Sequence, residues 1–158
     1  MGKVRPAERA DGTRCAEICA EALAELEPVR GGPLFSRREA GLVVKALLRP
    51  GGLDRLLADG RRKLLVSLDD ERIVGLALGR LEDVGEVKLG IVDACYVEPP
   101  SRRSGRGRSL IEGLVGWFEA AGCRGVDAPA LPGDRAMKQL FETSGFKARL
   151  LTMHRQLP

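Results

Sequence analysis

The chain lacks the features that would make it a membrane protein, a disulfide scaffold or a metal site. Its opening, Met1-Gly2-Lys3-Val4-Arg5-Pro6, carries no hydrophobic run, so no secretory signal is expected. Pro6 also stands where a myristoylation motif requires Ser or Thr. No uncharged apolar stretch approaches the roughly 20 residues that span a bilayer. There is a single histidine, and the four cysteines, Cys15, Cys19, Cys95 and Cys123, include no C-x-x-C pair. Neither a zinc site nor a disulfide framework is expected, and reduced, buried thiols in a cytoplasmic protein are the expectation. Aromatics are only 4% of the chain, which leaves the core to Leu, Val, Ile and Ala. Internal repeats and low-complexity linkers are missing as well, so the 158 residues are expected to form one domain, 1–158.

The residues present form a mixed pattern of helices and strands. Residues 3–5 suit a short strand before Pro6. Asp11-Gly12-Thr13 opens a helix with Cys15, Ile18, Cys19, Ala22, Leu23 and Leu26 on one face, ended by Pro28 and Gly31-Gly32-Pro33. Ser36-Arg37-Arg38-Glu39 has the form of a capping box before a helix burying Val43, Val44, Leu47 and Leu48. A short amphipathic turn through Leu53, Leu56 and Leu57 follows. The character then changes to β-rich runs at Lys63–Leu68, Arg72–Leu81 and Glu86–Val97, joined by short polar connectors that favour antiparallel hairpins. A helix with Leu110, Ile111, Leu114, Val115 and Phe118 on one side comes next, then a short strand near 125–128. A helix over Asp134–Ser144 and a last strand from Phe146 to about Gln156 close the chain. The expected order is β-α-α-β-β-β-α-β-α-β, an α/β (mixed α+β) domain.

The excess of basic residues, 26 Lys and Arg against 22 Asp and Glu, has one address. Residues 99–111 contain Arg102, Arg103, Arg106 and Arg108 and no acid, so the rest of the chain is formally neutral. That loop joins a strand end to a helix start. Unpaired N–H groups and a partial positive charge at a helix N-terminus stabilise phosphate there. Gly105 and Gly107 let the backbone approach a ligand closely, and the planar arginine fork donates paired hydrogen bonds. A phosphate-binding loop is the physical reading. It lacks the G-K-[ST] ending of a Walker A loop and the third glycine of a dinucleotide fingerprint. Nucleic acid is a weaker reading, because no aromatic is interleaved with the arginines.

The pattern Val97-x-Pro99 followed by Arg102-x-x-Gly105-x-Gly107 resembles the acyl-CoA signature of the GNAT acyltransferase superfamily. Leu140-Phe141-Glu142-Thr143-Ser144-Gly145-Phe146 is similar to the superfamily's later helix, which ends in Gly-Phe. The resemblance implies a GNAT-like fold with a mostly antiparallel sheet splayed at the cofactor site. It implies backbone groups of Cys95, Tyr96 and Val97 along the pantetheine arm, and main-chain N–H groups of Arg103, Ser104, Gly105, Arg106, Gly107 and Arg108 on the pyrophosphate. Arginine side chains would serve the 3′-phosphate, and Asp134 and Phe141 would stand in the later motif. The implied reaction is direct transfer of an acetyl or other acyl group from acetyl-CoA to a primary amine of a small molecule or peptide. No metal, nucleic acid or membrane takes part, and a homodimer stays open.

Two departures matter. The superfamily's usual Asn is replaced by Asp134, and its usual Tyr acid by Phe141, which has no proton to give. A CoA thiolate is a tolerable leaving group, since free thiols ionise near pH 8.5, so an acid can be dispensable. The alternative is a domain that binds acyl-CoA without turning it over. Strand alternation groups Val87, Leu89, Ile91, Cys95 and Val97 with Asp93, a lone carboxylate in an apolar row. Desolvation there would make Asp93 a candidate general base. The competing readings are a bulge that turns it to solvent, or an arginine partner. Tyr96, by the same alternation, faces away from Asp93, and Glu98 falls on the solvated face.

Overall fold

A computed structural model describes residues 2–39 and 41–158, without the side chains of residues 41–43; the expected core role of Val43 lies outside the described residues. The elements are β1 (Lys3–Pro6), α1 (Gly12–Leu26), α2 (Gly32–Arg38), α3 (Gly41–Leu48), α4 (Gly52–Ala58), β2 (Arg62–Asp69), β3 (Arg72–Val84), β4 (Val87–Val97), α5 (Arg106–Ala120), β5 (Gly125–Asp127) and α6 (Arg135–Thr143). The strands form one five-stranded sheet in the order β1-β2-β3-β4-β5. The first four pair antiparallel, and β4 pairs parallel with β5. A parallel neighbour requires a crossover, and α5 supplies it.

Each face of the sheet carries its own core. Leu64, Val66, Leu76 and Leu78 turn to the side of α1, α3 and α4, where they meet Ile18, Cys19, Val44 and Leu47. Leu65, Ala77, Val92 and Cys95 turn to the other side, against Leu110, Ile111, Leu114 and Phe118 of α5. This is strand alternation with both faces covered, which explains why β2 and β3 read as nearly continuous apolar runs. Gly79 and Gly90 leave room for Phe118: a Cβ on either would come within 2.7 Å of its ring.

Three expectations are corrected. Gly31-Gly32-Pro33 begins α2 and does not merely stop α1: Gly31 holds φ +80, and the proline falls in the first turn, where no N–H is missed. Ser36 is consequently a buried residue within α2 and caps no helix. The last strand is also absent. Gly145 (φ +89) reverses the chain, Phe146 packs 5.4 Å from Phe141, and residues 147–158 follow without strand structure. Leu150, Leu151, Met153 and Leu157 are all more than two-thirds exposed. Alternation in the sequence suits a strand, but a strand needs a ladder partner, and β5 is only three residues long. The tail is tied back by Arg149, which donates to Asp127.

Candidate active site

The site is built where β4 loses its neighbour. β4 pairs with β5 only through Leu89, Gly90 and Ile91, while β4 itself runs on to Val97. Glu98 N–H donates to Val74 C=O on β3 at 2.8 Å. By alternation the backbone groups of Cys95 and Val97 point the other way, into the gap beyond β5. The Val97 carbonyl is taken by Arg102 Nε at 2.7 Å. Among the described residues, the N–H and C=O of Cys95 and the N–H of Val97 remain as a short, open strand edge.

That edge leads to the arginine loop. Pro99–Ser101 makes a 3-10 turn, and Gly105 at φ +78 sets the N-terminus of α5. Arg103 adopts φ +60, a left-handed conformation uncommon outside glycine. Among the described residues, the amides of Arg103, Ser104, Gly105, Arg106, Gly107 and Arg108 donate to no backbone carbonyl. They are therefore available to an anion. A Cβ on Gly107 would come 3.2 Å from Leu140, so this glycine also lets α5 and α6 approach.

The four arginines divide into two pairs. Arg102 bonds Glu25 at 2.6 Å and lies 5.1 Å from the Tyr96 ring centroid. Arg106 reaches back to Asp69 at 2.7 Å and to the Ser104 hydroxyl at 2.9 Å. Both are anchors of the loop. Ser104 in turn donates to Ser101 C=O. Arg103 and Arg108 are exposed and carry no ion pair among the described residues, so they are the cations free to meet a ligand.

A cavity of about 270 Å³ lies alongside β4 and reaches from Leu23 and Leu26 of α1 to Met137 and Phe141 of α6. Asp93, Cys95, Tyr96, Arg102 and Asp134 also line it. Asp134 is the N-cap of α6, its carboxylate accepting from Met137 N–H at 3.0 Å. Phe141 is buried, and burial pushes the Cys95 thiol up to about 12, so that sulfur is no nucleophile.

Asp93 sits at a β-bulge. Leu78 pairs with Ala94 and Gly79 with Val92, so Asp93 is the extra residue. The bulge breaks the expected alternation: Val92, Cys95 and Val97 pack towards α5, and Tyr96 packs towards α1. Tyr96 and Asp93, expected on opposite faces, both line the cavity, as do Val92 and Cys95. The bulge does not turn Asp93 to solvent, since its side chain is 2% exposed. Oδ1 accepts from Arg80 Nε at 3.0 Å, and Oδ2 is buried with no partner among the described residues. Burial pushes the carboxyl above its ordinary value, against the pull of the Arg80 guanidinium.

Glu98 is the residue that sequence reasoning misplaced. It is buried, not solvated, and accepts from Arg72 at 2.7 Å and from Arg14 of α1. Arg14 also holds Ile73 C=O, so the pair fastens α1 to the end of β4. No local signal marks this, because Arg14 lies 84 residues away.

The comparisons with known proteins agree with this fold. The chain is similar in fold to a transcriptional regulator from Bacillus halodurans C-125, with TM-score 0.72, 19% identity, and 98% of this chain and 100% of that one covered. It is similar to a predicted acetyltransferase from Clostridium acetobutylicum, solved with acetyl-CoA, with TM-score 0.72, 16% identity and coverages of 99% and 96%. A third neighbour is AAC(6′)-Iy in complex with the bisubstrate analog CoA-S-monomethyl-acetylneamine, with TM-score 0.71, 14% identity and 99% of each chain covered. No curated protein matches by sequence. The description "Acetyltransferase (GNAT) family" matches residues 36–146, a span that holds the bulged strand, the arginine loop and the Gly-Phe helix end, and the chain belongs to that family.

Proposed function

We propose that this protein transfers an acetyl group from acetyl-CoA directly to a primary amine, without a metal or a covalent enzyme intermediate. The observation that carries the reading is the open β4 edge, which runs straight into a helix N-terminus with six uncommitted amides. Cys95 and Val97 would hold the pantetheine arm as an added strand. The amides of 103–108 would take the pyrophosphate, with Arg103 and Arg108 on the remaining phosphate. In that pose the thioester would lie near the bulge, where Asp93 lines the same cavity.

An amine must lose a proton before it attacks, and a lysine-like amine has a pKa near 10.4. Asp93 is suited to take that proton: it is buried, and one oxygen lacks a partner. A positioned base contributes about 10²–10⁴-fold. Phe141 cannot protonate the departing sulfur, so CoA leaves as the thiolate. The test is calorimetric titration with CoA and acetyl-CoA, followed by thiol release across an amine panel. Saturable binding and acceptor-dependent thiol release are expected. No heat and no melting shift with either ligand overturns the reading.

Phe141 also supports a second reading, an acyl-CoA-binding domain without catalysis. Acceptor-dependent turnover that Asp93→Asn abolishes would exclude it.

A further inference from the structure

A second cavity, of about 230 Å³, opens beside the first and shares Phe35, Val92, Asp93 and Pro129 with it. Its charged walls are Arg38 and Glu39 at the end of α2, Arg80 of β3, and Asp93. The charges are ordered by depth. The Asp93 side chain is 2% exposed, that of Arg80 30%, and that of Arg38 73%. Two of the Arg80 donors are committed, Nε to Asp93 and Nη1 to Glu82 at 2.6 Å, and Nη2 has no partner among the described residues. Glu39 lies 3.7 Å from Arg38 Nε, and both Nη groups of Arg38 have no partner among the described residues. Arg62, paired with Asp59, adds a further positive charge felt at Asp93.

A polycationic acceptor does not suit this arrangement. One ammonium would find Asp93, and a second one close by would face Arg80, while Glu39, the other carboxylate on the walls, already lies 3.7 Å from Arg38. The complementary ligand carries one amine and one anion close together. Because Arg80 Nε is only 3.0 Å from Asp93 Oδ1, the anion must sit within a few ångströms of the amine. That is the spacing of an α-amino carboxylate.

Resting on the acetyl-transfer reading, we propose that the acceptor is a free α-amino acid, with its amine at Asp93 and its carboxylate on Arg80 and Arg38. The amine nitrogen forms a bond to the acetyl carbon as the thioester C–S bond breaks and the sulfur leaves with the electron pair. Of the two protons the ammonium loses, one passes through Asp93 to solvent and the other ends on the CoA sulfur. The products are an N-acetylamino acid and CoA. Protein lysines lack the adjacent carboxylate, and polyamines and aminoglycosides carry cations in its place.

The test measures thiol release from acetyl-CoA with the twenty free amino acids. Each reactive one is compared with its decarboxylated amine and its carboxamide, and neamine serves as the polycation. At least one amino acid should exceed its decarboxylated amine by about tenfold or more in kcat/KM, the scale of one hydrogen bond to a charged group. Arg38→Ala, a change at an exposed side chain, should raise KM for that amino acid about tenfold. It should leave the carboxamide and the affinity for CoA unchanged. A preference for the decarboxylated amine or neamine, or an Arg38→Ala protein with unaltered discrimination, overturns the proposal. So does an absence of thiol release with every amino acid while acetyl-CoA still binds. Loss of acetyl-CoA binding itself would instead strike the underlying reading.

Discussion

Replacing Gly90 by alanine tests how the sheet supports the site. Gly90 lies in β4, paired with Leu81 on one side and with Val126 of β5 on the other, just before the two strands part. A Cβ there would meet Cγ, Cδ1 and Cδ2 of Phe118 at 2.4–2.7 Å, where ordinary contact begins at 3.4 Å. Phe118 is fully buried and already fills the space over Gly79, so the ring has to shift by about 1 Å or carry α5 with it. Overpacking of this kind costs about 1–3 kcal/mol. For a chain of this length each kcal/mol moves Tm by about 2–4 °C, so a fall of about 2–12 °C is expected by calorimetry or circular dichroism. Because α5 begins at the arginine loop, the rise in Tm on adding CoA should also shrink. Gly90→Ala combined with Phe118→Leu should be less destabilised than the sum of the single changes. Gly116→Ala, on the same helix with nothing within 4 Å of its Cβ, should instead raise stability by about 0.5–1 kcal/mol. If Gly90→Ala melts with the parent protein, or the double change is simply additive, the packing account is wrong.

Asp93→Asn should lower acetyl transfer by about 10²–10⁴-fold while leaving CoA affinity intact, as stopped-flow and titration would show. Because burial raises the Asp93 carboxyl, the base form is lost as pH falls through a value above the ordinary one. The parent rate should therefore drop in acid at a higher pH than a solvent-exposed carboxylate would give, and Asp93→Asn should erase that limb. Arg103→Ala with Arg108→Ala should weaken CoA binding and flatten its salt dependence with little change in Tm; Arg102→Ala with Arg106→Ala should lower Tm, because it breaks the anchors to Glu25 and Asp69. Removing the Glu98 carboxylate by Glu98→Ala should cost about 1.5–3 kcal/mol in urea unfolding, since two arginine hydrogen bonds are lost. In native protein a thiol reagent should find one fast cysteine, Cys123; Cys15, Cys19 and Cys95 are buried, and burial pushes their thiols to about 11, 12 and 12.

Much of this molecule is local and therefore legible in the chain. The β2, β3 and β4 boundaries follow from apolar runs cut by Asp69-Asp70-Glu71 and by the turn at Gly85, and the structure agrees to within three residues at each end. The arginine loop is equally plain, because a proline pair, two glycines and a helix start fall within a dozen positions. The helix start at Gly32 escaped notice because two glycines and a proline suit a stop as well as a start. The C-terminal strand failed for a different reason: Phe146, Ala148 and Leu150 alternate as in a strand, but three such residues do not supply an edge to pair with.

What the sequence by itself determined is the element order from β2 to α6, the concentration of excess positive charge at the start of α5, and the resemblance carried by those residues. Only the tertiary structure decided what each charge does. Arg102 and Arg106 are paired with Glu25 and Asp69, which lie 77 and 37 residues away, so among the described residues the cluster of four presents two cations without an ion pair. Asp93 is directed by one extra residue in a ladder and held by Arg80 on the next strand. Neither pairing has a signature along the chain, because a guanidinium finds its carboxylate by distance in space, and the fold sets that distance.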